Sequence, residues 1–572
     1  MNHSRPRQRW FAVLIVLAGW WLLIGSASAA VPVDPWFAAG ITRAPGGPYL
    51  YDALGRRLQL HGVDLAAKCG GGARPARVTG TPCIGPAAGS QPAFVLSPTA
   101  TDPGRRFTAG DAQTLALLGF TVVRLGIVWE GLEPGPAGVG PNDPRYCARH
   151  PPGTRFPSLG AADPYQAGAV SQYLAQTDRI VELLQAAGIR VIIDMHQDAY
   201  GSAFSHRSGR SPWNGEGAAG WATCTGARRL GAATAYWGQA YVDQAVQTAI
   251  GHFWRNDVRG DLQGQFARVW EAVARHYRDD PEVIGYEVFN EPTNFASADF
   301  SRQLQCAYAG PARAPRSCAG SHVQALRRGL IGAIELADPT HLVLYEPTIS
   351  ATPRQTDTVG VFEPLRFPRL VLAFHIYGTP PAGVYGCPGS VCLRSERRAI
   401  EAVLRLRART HTERQPGGPA MVMDEFGGGP SIPDIAHVVD LARRASLSWS
   451  EWSALQLHDP TGAPGEGLLD QRTRRPWPAK ARALSFPYPM ATAGTPGPQS
   501  FDRASGRFRY SYLVDPNVRA PTEIIVPPFV YPHGYSVGLQ GATVTSPAEA
   551  SLLTLVALPG RRLVTVTVTS NG

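Results

Sequence analysis

The sequence predicts an α/β protein: a TIM-type (β/α)8 barrel followed by a small C-terminal antiparallel β-sandwich. Two observations carry the expectation. Eight short apolar runs recur between Leu58 and Leu455, with intervals long enough for a helix each, which is the pattern of a parallel sheet covered by helices. Near Ser485 the texture changes: helical periodicity stops, and short alternating runs separated by Gly and Pro turns begin, as in an antiparallel sandwich.

In order, the barrel strands fall at Leu58–Val63, Thr121–Leu125, Arg190–Met195, Val283–Phe289, His341–Tyr345, Leu370–His375, Ala420–Asp424 and Leu447–Leu455. Between them, Tyr173–Ala187 carries apolar residues at helical spacing and stops at Gly188, and Gln263–Tyr277 places Phe266, Val269, Trp270 and Val273 on one side. Three irregular stretches follow the first three strands: Lys68–Ala109, Pro134–Ala162 and Tyr200–Tyr236, the last holding Trp213 and Trp221. In such a barrel these stretches lie over the catalytic face and shape the cleft. Beyond residue 485, strands are expected at Phe508–Tyr512, Glu523–Val526 and Leu563–Val568. The division is thus a leader over 1–30, a barrel over 31–485 and a sandwich over 486–572.

The leader has Arg5, Arg7 and Arg9, an apolar run from Trp10 to Ile24, and small residues at Ala27-Ser28-Ala29. That is a cleavable export signal, and the apolar run is shorter than the roughly 20 residues that span a bilayer. A retained N-terminal anchor is the alternative. The formal charge of +10 is scattered and mostly Arg, with no block of like charge, so a nucleic-acid role has no support. Eight cysteines in an exported chain suit disulfides. Proximity pairs Cys69 with Cys83, Cys306 with Cys318 and Cys387 with Cys392; elimination leaves Cys147 with Cys224. No Cys spacing fits zinc, and no metal or organic cofactor is implied.

Six of the predicted strands end in polar residues that a packed core would not choose. These are Arg124, then Asp194-Met195-His196-Gln197-Asp198, Asn290-Glu291-Pro292, His375-Ile376-Tyr377, Asp424-Glu425-Phe426-Gly427, and Trp452. Convergence of such residues on one rim marks a site. Two carboxylates at opposite walls are what glycosidic cleavage needs: one protonated to give its proton to the leaving oxygen, one ionised to attack the anomeric carbon. Glu291 fits the first role. Glu425, kept charged by Arg124 and the Tyr377 hydroxyl, fits the second. Glu346, in Tyr345-Glu346-Pro347, has an analogous look on the wrong strand; Glu130 and Asp194 read as structural, and His458 and Asp459 have no assigned role.

These motifs resemble glycoside hydrolase family 5, within the clan A barrels. The resemblance rests on Asn290-Glu291-Pro292, Glu425-Phe426-Gly427, Gly55-Arg56 with Leu60-His61-Gly62-Val63-Asp64, and Val123-Arg124-Leu125-Gly126. Within the family, Asp194-Met195-His196-Gln197-Asp198, the run Gly285 to Pro292, and Tyr488-Pro489 with Ala493-Gly494-Thr495-Pro496 resemble the endoglycoceramidase group. The resemblance covers essentially all of the mature chain.

It implies Glu291 as acid/base and Glu425 as nucleophile. Asn290 is then expected to hold the sugar 2-hydroxyl, and Trp452 to floor the sugar, with Trp449 as its possible substitute. Lys68, His196 and Asp198 are expected to grip the remaining hydroxyls, while His375 and Tyr377 support the nucleophile. The implied substrate is a glycolipid or oligosaccharide, cleaved between glycan and ceramide with retention. An apolar aglycone side lined by Phe204, Phe253, Trp254 and Phe295 is expected with it. The implied protein is a monomer in transient contact with a membrane surface, where the sandwich either orients the barrel or simply braces it. Three alternatives stay open: a β-glucanase or mannanase, a β-glucosidase or galactosidase on simple glycolipids, and a non-catalytic carbohydrate-binding protein.

Overall fold

The computed structural model describes residues 49–67, 96–100, 104–150, 155–156, 158–205, 215–231, 240–241, 243–292, 321–346, 369–377, 419–455 and 465–572, with side chains left aside over 321–328. The leader, Lys68, Trp213, Phe295, His458, Asp459 and six of the eight cysteines lie outside the described residues.

Eight strands close into a parallel barrel: β3 (His61–Leu65), β4 (Val122–Val128), β5 (Arg190–His196), β6 (Val283–Glu287), β7 (Leu342–Tyr345), β8 (Leu370–Ile376), β9 (Ala420–Phe426) and β10 (Ser448–Glu451). They pair in chain order, and β10 closes on β3. Each of the eight predicted runs overlaps one barrel strand. Helices cover the outside, among them Ala167–Ala186, which buries Val170, Leu174, Ile180, Val181 and Leu184 along one stripe. Leu262–Tyr277 does the same with Phe266, Val269, Trp270 and Val273.

The first predicted strand divides. Its opening residues form a hairpin, β1 (Leu50–Tyr51) with β2 (Arg57–Leu58), which leaves the barrel altogether. Here Asp52 accepts the N–H groups of Leu54 and Arg56 and so shapes the turn. Buried Arg56 then spans from Asp52 to Glu523 of the C-terminal region. That ion pair draws the hairpin onto β11 (Tyr488–Thr492).

One sheet of the sandwich therefore runs β1-β2-β11-β14-β17-β16, where β14 is Thr522–Ile525, β16 is Ala542–Val544 and β17 is Leu552–Ala557. The other runs β12-β13-β18-β15, with β12 at Gly494–Asp502, β13 at Arg507–Val514, β15 at Tyr535–Gln540 and β18 at Leu563–Ser570. Phe508, Tyr510, Tyr512, Leu553, Leu555, Val564, Val566 and Val568 fill the space between the sheets. The alternating burial of β13 and β18 is the period of a sandwich strand with one face to the core.

Sandwich and barrel meet at the strands' N-terminal ends. The Tyr488 hydroxyl bonds Thr121 Oγ1 and the Gly119 carbonyl, each at 2.9 Å. His61 stacks between Tyr488, 3.6 Å away, and Trp449, 4.4 Å away. Functional side chains of a (β/α)8 barrel stand at the other end, so this contact braces the barrel on the side away from its mouth.

Among the irregular stretches, Cys147 and Cys224 form a disulfide with 5.3 Å between Cα atoms. It pins the stretch after β4 to the one after β5. Trp221 belongs to this brace: it is fully buried, its indole N–H donates to the Glu133 carbonyl at 2.9 Å, and its ring meets Trp129 edge-on. It lines no cleft.

Candidate active site

The site is built around Arg124, a guanidinium inside the barrel with 1% of its surface exposed. A buried cation must meet several acceptors to persist, and the neighbouring strands supply them. Its Nε and Nη2 make a two-pronged pair with Glu287 at 2.7 and 3.0 Å. Nη1 donates to Glu425 Oε1 at 2.8 Å, and Nη2 to Asn290 Oδ1 at 2.6 Å. Asp194 stands 3.2 Å from Nη2. One side chain from β4 thereby fixes groups on β5, β6 and β9.

Glu425 is the fixed point of the far wall. One carboxylate oxygen takes Arg124; the other accepts the Tyr377 hydroxyl at 2.7 Å and lies 3.2 Å from His375 Nδ1. Burial pushes the Glu425 carboxyl up, and the charge of Glu291 adds to this, while His375, Arg124 and Tyr377 oppose it. Burial and the adjacent Glu425 raise the Tyr377 hydroxyl well above its ordinary range, which keeps it a donor. Glycine follows at 427 for a steric reason: φ is +93°, and a Cβ there would lie 2.7 Å from Glu451 Oε1.

Across the cleft, Asn290 and Glu291 follow β6. The Asn290 amide donates to the Gln197 carbonyl at 3.1 Å, and Gln197 returns its own amide to the carbonyls of Asn290 and Glu291. Glu291 has φ +45°, a left-handed conformation that side-chain-bearing residues adopt only when their surroundings hold them there. Its backbone N–H donates to Glu346 Oε1 at 2.9 Å, and its Oε1 stands 2.8 Å from His375 Nδ1. One oxygen of Glu291 and one of Glu425 lie within 4.8 Å of each other.

The third wall combines an aromatic ring with buried polar groups. Trp452 lies parallel to His196, with ring centres 5.2 Å apart and 12° between planes. Asp194 bonds His196 Nδ1 at 2.7 Å, so Nε2 faces Asp198 at 4.0 Å and Glu216 at 3.7 Å. The Trp452 indole N–H donates to Glu466, and Lys480 joins the Glu466 carbonyl to the Glu451 carboxylate. His196, Asp198 and Glu216 bring a ligand atom each within 4.8 Å. The set has donor types suited to a divalent cation, and the same groups are what adjacent sugar hydroxyls require.

The structure thus gathers Arg124, Asn290, Glu291, His375, Tyr377 and Glu425 into one bonded constellation, with His196, Asp198 and Trp452 beside it. Lys68 lies outside the described residues. Trp449 is excluded as the platform: it is fully buried and stacked on His61 at the opposite end of its strand. The expected aglycone lining is also corrected. Phe253 is fully buried among Trp129, Phe266 and Phe289, Trp254 packs on Phe253 and Phe289, and Phe204 is buried too. Phe253 and Trp254 are core because both lie on the inward face of the helix Gln244–Arg255.

Sequence reasoning gave no role to several acids that the structure brings beside Arg124: Asp64, Glu287, Glu346 and Asp424. Burial works against an ionised Glu287, yet Arg124 pulls its carboxyl down to about 2. Burial pushes Asp64, Asp194, Glu346 and Asp424 well up. The missed signal was present in the chain. An acid inside an apolar strand, as in Tyr286-Glu287-Val288, demands a buried partner, and Arg124 in Val123-Arg124-Leu125 is the matching anomaly.

Comparison with known proteins adds a lineage. A family model described as "Cellulase (glycosyl hydrolase family 5)" matches residues 103–456, and one described as "Glycoside hydrolase family 5 C-terminal domain" matches 487–568. A curated relative named "Endoglycoceramidase I", from Rhodococcus hoagii, is 27% identical over 526 residues, 89% of this chain and 85% of its own. An "Endoglycoceramidase" from Cyanea nozakii is 24% identical over 404 residues, 64% of this chain and 71% of its own. A solved structure of endo-glycoceramidase II from Rhodococcus sp., in complex with ganglioside GM3, superposes with a TM-score of 0.63 at 23% identity, covering 92% of this chain and all of that one (100%).

Proposed function

The chain belongs to glycoside hydrolase family 5, and on that premise we propose that it is an exported, retaining endoglycoceramidase, cleaving the β-bond between glycan and ceramide in glycosphingolipids. The observation that carries the mechanism is the closeness of Glu291 and Glu425, with oxygens within 4.8 Å. Retaining pairs stand about 5–5.5 Å apart, whereas inverting pairs leave about 6.5–9.5 Å for a water. Glu425 attacks the anomeric carbon as Glu291 gives its proton to the departing ceramide oxygen, leaving a glycosyl ester on Glu425. Glu291, now a carboxylate, takes a proton from water, whose oxygen displaces Glu425 and releases the glycan. Two inversions give net retention.

The surrounding residues serve those two steps. Arg124 and Tyr377 share the charge of Glu425 before attack and as it departs. Asn290, anchored by Gln197 and Arg124, presents its amide to the sugar 2-hydroxyl. Trp452 floors the ring, and His196 with Asp198 binds its outer hydroxyls, since pyranose recognition combines an aromatic face with charged acceptors. Neither step draws on a cofactor.

The ceramide end rests on the two curated relatives, both endoglycoceramidases by name. The leader at 1–30 supports export. The same reading has a monomer working at a lipid surface, with the sandwich as a brace. The test is incubation with a panel of neutral and acidic glycosphingolipids, sterol glycosides, glucan and mannan, followed by mass analysis of both products. Intact glycan plus ceramide is expected; soluble glucan or mannan fragments with glycolipids untouched would overturn the assignment.

A further inference from the structure

Glu346 lies just past β7, the strand between those that carry Glu291 and His375. We propose that it is a positioning residue for the acid/base: a neutral carboxylic acid whose carbonyl oxygen holds the Glu291 backbone while its hydroxyl donates to Glu287. The inference rests on the reading of Glu291 as acid/base.

Three contacts converge on one oxygen of Glu346. Its Oε1 accepts the Glu291 N–H at 2.9 Å, and lies 3.4 Å from His375 Nε2 and 3.7 Å from Arg124 Nη2. All three neighbours present nitrogen, so Oε1 is the accepting atom. The same side chain makes a hydrogen bond to the Glu287 carboxylate. Two carboxyl groups in hydrogen-bond contact must share a proton. Glu287 already takes both prongs of Arg124 and is the ionised member. The proton therefore sits on Glu346. Burial pushes the Glu346 carboxyl upward and agrees with that placement.

The contact has a purpose because of the conformation it holds. Glu291 sits at φ +45°, a strained state that persists only where its surroundings hold it. Gln197 grips the carbonyls on either side of the Glu291 N–H, and Glu346 grips the N–H itself. Removing Glu346 frees that peptide to relax, which swings the Glu291 carboxyl off the line to the leaving oxygen. Both proton transfers of Glu291 suffer, and kcat/KM, which reports only the steps up to formation of the ester, isolates the one to the leaving group.

The inference is tested with Glu346→Gln and Glu346→Ala, each assayed on a dinitrophenyl and an alkyl β-glycoside of the head group that wild type releases. The first leaving group needs no proton; the second does. Gln reproduces a neutral acid, with a carbonyl for Glu291 and an N–H for Glu287, and should keep both rates within about threefold of wild type. Ala should lower kcat/KM on the alkyl glycoside about 100-fold and kcat/KM on the dinitrophenyl glycoside by less than about tenfold, as lost general-acid catalysis does. A Gln variant as impaired as Ala, or one that fails to fold, overturns the proposal, because an ionised carboxylate would then be needed. Equal losses on both substrates for Ala overturn it in favour of a structural brace. A Glu291→Ala control separates the underlying reading: if it shows no dependence on the leaving group, the acid/base assignment fails, and the role of Glu346 with it.

Discussion

His375 Nδ1 stands 2.8 Å from Glu291 Oε1, and the same nitrogen is 3.2 Å from Glu425 Oε2. A single imidazole edge therefore faces both carboxyls. The double contact couples the protonation of one wall of the cleft to the charge of the other. Glu291 raises the Glu425 carboxyl and His375 lowers it, so the imidazole sets the pH at which the nucleophile becomes available.

Replacing His375 with Phe removes one downward influence, that of the imidazole, and leaves burial, the charge of Glu291, Arg124 and Tyr377 in place. The folded Glu425 carboxyl then moves further up. Attack needs the ionised form, so the acid limb of kcat/KM should shift to higher pH. Below that limb, activity should fall about tenfold or more. The measurement is kcat/KM against pH for both proteins; an acid limb that stays where it was would show that His375 does not tune the nucleophile.

The two glutamates can be told apart by an exogenous anion. In Glu425→Gly, azide fits the vacated space and attacks from the face the nucleophile used, so rescue should yield the α-glycosyl azide. In Glu291→Ala with an activated leaving group, Glu425 still forms the ester, and azide should yield the β-glycosyl azide. Each substitution should lower the unrescued rate on natural substrate about 100- to 10,000-fold. NMR of the azide product reads the stereochemistry. The same anomer from both variants would refute the division of roles.

Much of this site was legible in the chain because β-strands make it so. A polar residue at the end of an apolar run has one place to go in a barrel, and Arg124, His196, Glu291, His375, Glu425 and Trp452 all went there. What escaped was non-local. The turn at Asp52 to Arg56 is a local signal, but its docking on β11 depends on Glu523, 467 residues from Arg56, and no local pattern specifies that. Phe253 and Trp254 were misplaced because an aromatic cluster under a helix and an apolar groove share one composition. Glu346 looked like a stray nucleophile; its contact with a backbone N–H is invisible to side-chain pattern.

The Cys147–Cys224 bridge closes a loop of 77 residues and ties the stretch after β4 to the one after β5. Loop-closure entropy alone assigns it about 4.5 kcal/mol, and measured losses fall around 2–5 kcal/mol. Cys224 and Trp221 are both buried in the same stretch, so the loss should be cooperative. A Cys147→Ser/Cys224→Ser double variant is expected to unfold at lower denaturant and to raise KM more than it lowers kcat, since the stretch also carries Asp198 and Glu216. Coincident unfolding curves would show that packing of Trp221 suffices.

Glu133 gives a pH effect that is independent of catalysis. It lies fully buried at the end of the short helix Trp129–Leu132, with the Trp129 indole N–H donating to its carboxyl at 2.8 Å. Burial pushes this carboxyl up to about 8 from its ordinary 4.5, against the indole hydrogen bond. The folded protein therefore holds a proton that the unfolded chain has released. Stability falls as pH rises between those two values, by up to about 1.4 kcal/mol per pH unit. Glu130 and Glu451, raised by burial to about 7, slope the same way, so the informative quantity is the difference between wild type and Glu133→Gln. The glutamine carbonyl keeps the Trp129 bond without a titrating proton. Urea unfolding at pH 5, 6.5 and 8 should show near-equal stability at pH 5 and a growing advantage of the variant as pH rises. Parallel pH dependences would mean that Glu133 ionises in the folded protein as readily as in the unfolded one.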